Sequence, residues 1–318
     1  MNNQNEKRSD FNLVLSYIII LLIAIFIPPL YFLTLIILPI PVILYAYSNK
    51  AERLYLMVGV LAAITLILSA ILYTVLLFPL FVTAAASGIA IGLAVQKNKS
   101  AYETWVHGIV GYMISLLFIF VFSQLVLDIN WAEEIRQTTT QSLDQVLSIF
   151  SQLDPQLGAT FESQFDIIKQ QLYYMPNLIP VGMALFSIVF AFLALWLSYK
   201  LINRLHKQNL RFPPVHKLSF PVAIIWFYII AMLIMLFENK PTSGIYIASL
   251  NVTSLISFLL IIQGFTFIFF LAHRKNMSKV MPILAVIVSI VFPPLLYVVR
   301  FVGLFDLALS VRKRMKKS

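Results

Sequence analysis

Asn251, Thr253, Ser254, Ser257, Gln263 and Thr266 fall within a single apolar run of a chain that is 60% hydrophobic and only 11% charged. A polar side chain in hydrocarbon is costly, so each of these is either a hydrogen-bond link between helices or a contact for a bound solute. Asn251 and Ser254 stand one turn apart on one helical face, and Gln263 lies further along the same run. Gln124, next to Ser123, offers the same amide chemistry in an earlier run. Asn251, Ser254, Gln263 and Gln124 are therefore the candidate ligand-binding residues, with helix packing as the plainer alternative. Arg300 and Asp306 are charged residues in the last apolar stretch. Six positions apart, they stand about 240° around a helix and do not face each other, so an interfacial position is expected for both.

Other chemistries lack their residues. The chain has no cysteine, which excludes thiol nucleophiles, disulfides and thiolate metal sites. Its histidines, His107, His206, His216 and His273, include no pair at metal-ligand spacing, so no metal and no cofactor is expected. Glu133 and Glu134 are adjacent and point to different faces of a helix, which makes no acid–base pair. No phosphate loop, HExxH, serine elbow or kinase signature occurs. An enzyme is not expected. The net charge of +10 sits in short basic clusters between apolar runs, which is a pattern of membrane orientation and not of nucleic-acid binding.

About 20 apolar residues cross the hydrocarbon as a helix, because only a helix satisfies its own backbone there. Spans are read at 11–27, 30–47, 54–76, 80–96, 104–127, 179–202, 218–237 and 244–272, with a last apolar stretch at 281–311. The fold class expected is all-α: a polytopic transmembrane helical bundle of 8 spans plus a terminal re-entrant or bent helix pair, with an external helical hairpin. Lys7 and Arg8 precede the first run, and no small-residue cleavage site follows it, so it is read as a retained helix. Lys50, Arg53, Lys97, Lys99, Lys200, Arg204, Lys207, Arg211, Lys217, Arg274, Lys275 and Lys279 then fall on the same side as Lys7, leaving Arg136, Lys169 and Lys240 opposite. That asymmetry puts the amino terminus in the cytoplasm.

Pro28–Pro29 and Pro293–Pro294 interrupt the first and last apolar stretches. Each pair removes two backbone donors and suits a tight turn. The first is expected to close a hairpin near the outer face, because both its flanks are basic. The second is expected to turn a bent or re-entrant pair whose basic tail stays in the cytoplasm, with a single span and an exported basic tail as the alternative. Residues 128–178 are acidic and carry apolar residues at spacings of three and four, which implies two amphipathic helices outside the membrane. Asn130 with Glu133 has the form of a capping box, and Asp154–Pro155 that of a second helix start. The division is thus 1–127, a five-span unit; 128–178, the external hairpin; and 179–318, a carboxy-terminal membrane unit. Ala84, Gly88 and Gly92 repeat every four residues and allow close helix approach, as Gly108 and Gly111 do on the next span.

The stretches LPIPVILYAY at 38–47, SGIAIGLAVQKNKSAYETWVHGIVGY at 87–112 and VGLFDLALSVRKR at 302–314, with the acidic insertion between spans, resemble the YybS-like family of uncharacterised bacterial membrane proteins. Its best motif here is Gly303, Asp306 and Arg312. The resemblance implies a bacterial plasma-membrane location and no established activity. More remotely, the first six spans are similar at fold level to the substrate-binding subunits of energy-coupling-factor vitamin transporters, from which the external insertion and the spans after 217 depart. Two functions follow: transport-related binding of a small solute within the bundle, or a non-transporting scaffold or regulator that assembles with other envelope proteins through its spans, external hairpin and cytoplasmic basic loops. Membrane lipid is a partner in either case. A membrane-impermeant thiol reagent will label the Phe150→Cys variant in intact cells; labelling only after lysis would reverse the orientation.

Overall fold

The computed structural model describes residues 3–153, 165, 168–238 and 240–315, all-helical with no strand among them. Helix α1 (Asn3–Phe26) ends where the two prolines withdraw their donors, and Pro28–Leu30 makes one 3-10 turn. The chain then doubles back through α2 (Tyr31–Ile37) and α3 (Pro39–Ser48), both packed on α1. Next come α4 (Ala51–Ile71), α5 (Leu77–Gln96) and α6 (Ala101–Val126). Ser100 and Glu103 form a capping box at the start of α6, supplying two of the helix's unpaired donors with partners. After α7 (Trp131–Leu153), residues 168–172 are helical, and α8 spans Ile179–His206. The expected helix start at Asp154–Pro155 lies outside the described residues.

Two compact units result. The first holds the residues up to Asn130 together with Met183–Phe212, and the second holds Trp131–Gly182 and the residues from Pro213 onward. This grouping differs from a boundary at 179, because most of α8 packs with the amino-terminal helices. Trp105 donates its indole N–H to Ile188 O at 2.9 Å, and the Tyr112 and Phe190 rings meet edge to face at 5.8 Å. Tyr112 and Tyr17, both fully buried, place their hydroxyls on Leu35 O and Thr65 Oγ1 at 3.0 Å each. Buried phenols need such partners.

Glycines set the spacing in this unit. A Cβ added at Gly88 would lie 2.6 Å from Val42 Cβ, and one at Gly92 would run into Ala46 Cβ. Both indices rise together, so α3 and α5 run parallel. A Cβ at Gly108 would lie 2.9 Å from Ile91 Cγ1, and one at Gly111 2.7 Å from Ser87 Cα. Here one index falls as the other rises, so α5 and α6 are antiparallel. Ala84 is fully buried on the same helix as Gly88 and Gly92.

In the second unit, α7 is tied to the helical residues 168–172 and the turn after them. Lys169 Nζ meets Asp144 Oδ1 at 2.7 Å, and the Arg136 guanidinium stacks over Tyr173 at 4.4 Å. Then follow α9 (Ala223–Phe237), α10 (Gly244–Arg274), α11 (Val280–Val291), α12 (Pro294–Ala308) and the short α13 (Val311–Met315). The break between α11 and α12 falls at Phe292–Pro293, and both helices pack on α10 and on each other.

Among the described residues, six segments are long and apolar enough to cross a bilayer: Pro28–Ser48, Ala51–Ile71, Leu77–Gln96, Ala101–Val126, Met175–His206 and Gly244–Arg274. The expected spans at 11–27 and 218–237 fall on the apolar helices Asp10–Phe26, part of α1, and Ala223–Phe237, the second of which is shorter than expected. Eight full-length crossings are therefore not established. Leu56, Leu66, Ile67 and Ile71 are all more than half exposed along α4, a surface that belongs against acyl chains. The protein is a multi-pass membrane protein in contact with lipid. Replacing Gly88 by valine will destabilise it by roughly 1–3 kcal/mol through overpacking against Val42. Gly59→Val, where an added Cβ meets nothing within 4 Å, will change stability by less than about 0.5 kcal/mol; thermal unfolding in detergent compares the two.

Candidate functional site

Helix α10 and helix α12 touch backbone to backbone. A Cβ on Gly264 would strike Val299 O, and one on Gly303 would strike Leu260 O and approach Gly264 N. Each Cβ tilts toward its own helix N-terminus, so Gly264 faces Gly303 and the two helices run parallel. Since α12 runs with α10 and α11 begins just beyond the end of α10, α11 must run back along it. The pair turning at Pro293–Pro294 therefore enters and leaves at one end of α10.

This close approach brings polar residues together beside the glycines. Gln263 is fully buried; its Nε2 donates to Asp306 Oδ2 at 2.5 Å, and its Oε1 accepts from Phe220 N at 3.0 Å. Asp306 is 3% exposed, so its side chain is buried within the protein. Its cationic partner is Arg312. Arg300, half-buried on the same helix, lies instead over the Tyr297 ring at 5.1 Å.

Arg312 reaches Asp306 because the chain turns after α12. Ser310 adopts φ 48°, a left-handed conformation uncommon for a residue with a side chain, and α13 folds back from there. Arg312 Nε then donates to Asp306 Oδ2 at 2.7 Å. Nη1 donates to His216 O at 3.2 Å and Leu218 O at 2.7 Å. Nη2 donates to Thr266 Oγ1 at 2.7 Å and Gln263 O at 3.4 Å. A guanidinium has five N–H donors in a fixed fork, and all five are matched. Removing two charges from water costs several kcal/mol each, which their attraction offsets only when the remaining donors and acceptors are satisfied.

Phe267 and Phe270 place their rings 5.7 and 5.5 Å from the guanidinium carbon, within cation–π range. His216 stacks on His273 with ring centroids 4.2 Å apart, which holds its backbone against the last turn of α10. Burial draws the Arg312 pKa below its ordinary value, and the Asp306 carboxylate opposes that pull. Asp306 Oδ1 is buried and has no hydrogen-bond partner.

The remaining candidates are placed elsewhere. Asn251 accepts from Val181 N at 2.9 Å and donates to Asn177 O at 2.7 Å and Ile247 O at 2.8 Å. It thus supplies an acceptor to the first turn of α8, where backbone donors have no helical partner. Ser254 is half-buried on α10, and Gln124 is exposed on α6 in the other unit. Among the described residues, no group of three or more histidine, aspartate or glutamate side chains could hold a metal ion.

The family described as predicted membrane protein (DUF2232) matches residues 15–307, a range that includes Gln263, Gly303 and Asp306 and stops short of Arg312. The chain belongs to that family. It is also similar to the uncharacterized protein YybS of Bacillus subtilis (strain 168), with 27% identity over 304 residues, 96% of each chain. No solved structure matches, so the likeness to vitamin-transporter subunits gains no support. Within this family fold, Arg312→Met will destabilise the protein by about 3–5 kcal/mol by leaving Asp306 buried and unpaired. Adding Asp306→Leu will recover part of that loss. A double-mutant cycle read by thermal unfolding should give a coupling of about 1–3 kcal/mol, and strictly additive effects would mean the pair does not interact.

Proposed function

We propose that this is a plasma-membrane protein of a bacterium that acts without catalysing a reaction, as a non-transporting scaffold for another membrane protein. In this reading the amino terminus and the basic tail face the cytoplasm, and 128–178 faces outward. The observation that carries it concerns the best-suited solute ligands: the amides of Gln263 and Asn251 are committed to bonds inside the protein. A carrier needs polar groups free to meet its solute.

A site for a partner is better provided. Helices α9 and α10 form an open groove of about 390 Å³, lined by Ile230, Leu233, Ile234, Phe237 and Ile245 with Glu238 among them. Its apolar lining suits a transmembrane helix, and the carboxylate suits a helix bearing a lysine or arginine near its outer end. Such a partner would be held by side-chain packing and one charge contact.

A photo-crosslinking residue at position Leu233 tests this in intact cells. A discrete protein adduct is expected there, absent from the same residue at Ile67 on α4, and reduced at least about fivefold by Glu238→Lys, a change of roughly 1 kcal/mol. Adducts with lipid alone at both positions, together with saturable solute binding by the reconstituted protein, would favour transport instead.

A further inference from the structure

The oxygens around Arg312 are held in place by contacts that do not involve Arg312. Gln263 and Thr266 lie on one face of α10, and Gln263 is fixed by Phe220 N. Asp306 is fixed by Gln263 Nε2 and by the Gly264–Gly303 contact one turn away. The carbonyls of His216 and Leu218 belong to a 3-10 turn closed by Lys217 N to Pro214 O at 2.9 Å and Leu218 N to Val215 O at 3.0 Å. Stacking of His216 on His273 secures that turn to α10. Five acceptors and two aromatic rings thus surround the guanidinium on segments that have anchoring contacts of their own. Arg312 itself comes from a five-residue helix attached through the left-handed Ser310.

Such a shell has the features of a receptor. Its acceptors match a guanidinium and not a compact ammonium, which presents three donors from a single point. The buried Asp306 Oδ1, without a partner, adds an acceptor that Arg312 does not use. Preorganised groups bind with less ordering cost than groups that must assemble around their ligand.

We propose that Gln263, Thr266, Asp306 and the His216 and Leu218 carbonyls form a guanidinium-binding site that the chain fills with its own Arg312. The terminal segment is then a ligand bound in cis, and the site takes a guanidinium cation from solution once that side chain is removed. The inference does not depend on the partner groove, which lies toward the other end of α9.

Ethylguanidinium, the fragment deleted in Arg312→Ala, is the probe. Thermal unfolding of the purified full-length protein should show a lowered Tm for Arg312→Ala. Ethylguanidinium should restore at least half of the loss, saturating with a dissociation constant on the order of millimolar. Ethylammonium should restore less. Wild type should not respond, and Arg312→Ala with Asp306→Ala should lose the rescue. Equal shifts in wild type and variant, or no rescue of a folded Arg312→Ala, would overturn the proposal. Should that variant fail to fold alone, recovery of monodisperse protein when ethylguanidinium is present during expression and solubilisation supports the site, and failure to recover it counts against the site.

Discussion

The absence of side chains at Gly264 and Gly303 sets the distance between α10 and α12, and the polar contacts of the carboxy-terminal unit depend on that distance. Gln263 precedes one glycine by a single residue, and Asp306 follows the other by one turn. With the backbones in contact, the amide meets the carboxylate. A methyl group at either glycine would separate them, and Asp306 would lose the bond that orients it toward Arg312. Small residues act similarly in the amino-terminal unit, where Gly88 and Gly92 admit α3, but there they serve apolar packing alone.

Hydrocarbon surroundings explain why the polar residues are so fully engaged. Without water an unpartnered buried amide is costly, so pairing within the protein becomes a requirement for it. Asn251 meets the requirement by supplying an acceptor to the start of α8 and donating to two carbonyls. Gln263 meets it by joining Phe220, Asp306 and, through its own carbonyl, Arg312. The same polar residue type can thus mark a structural joint as readily as a ligand site, and only the geometry distinguishes them.

Much of the architecture was legible in the amino-acid order, because apolar runs and proline pairs act locally. The helical class, the doubling back at Pro28–Pro29 and the turn at Pro293–Pro294 all follow from such local rules. Span number was less legible: apolarity marks where a helix lies in lipid but not its length, and Ala223–Phe237 proved short, about 22 Å of helix. The candidate site was visible only in pieces. Gln263 stood out as an amide in an apolar run, and Gly303, Asp306 and Arg312 through the family resemblance. Their meeting did not, since helical spacing separates residues 306 and 312, and no glycine signals the left-handed turn at Ser310. Gly264 gave no small-residue repeat, and backbone carbonyls such as Leu218 O carry no mark in a sequence at all.

The order of the clamp's parts along the chain has a kinetic consequence. Thr266 is made 46 residues before Arg312, an interval of a few seconds at roughly 5–20 residues per second of synthesis. During that time the two terminal helices are themselves being made, and Asp306 precedes Arg312 by only six residues. The oxygens of residues 216–266 are therefore synthesised first, and the carboxylate and its cation follow almost together, so the ion pair is completed as one of the last events in building the molecule.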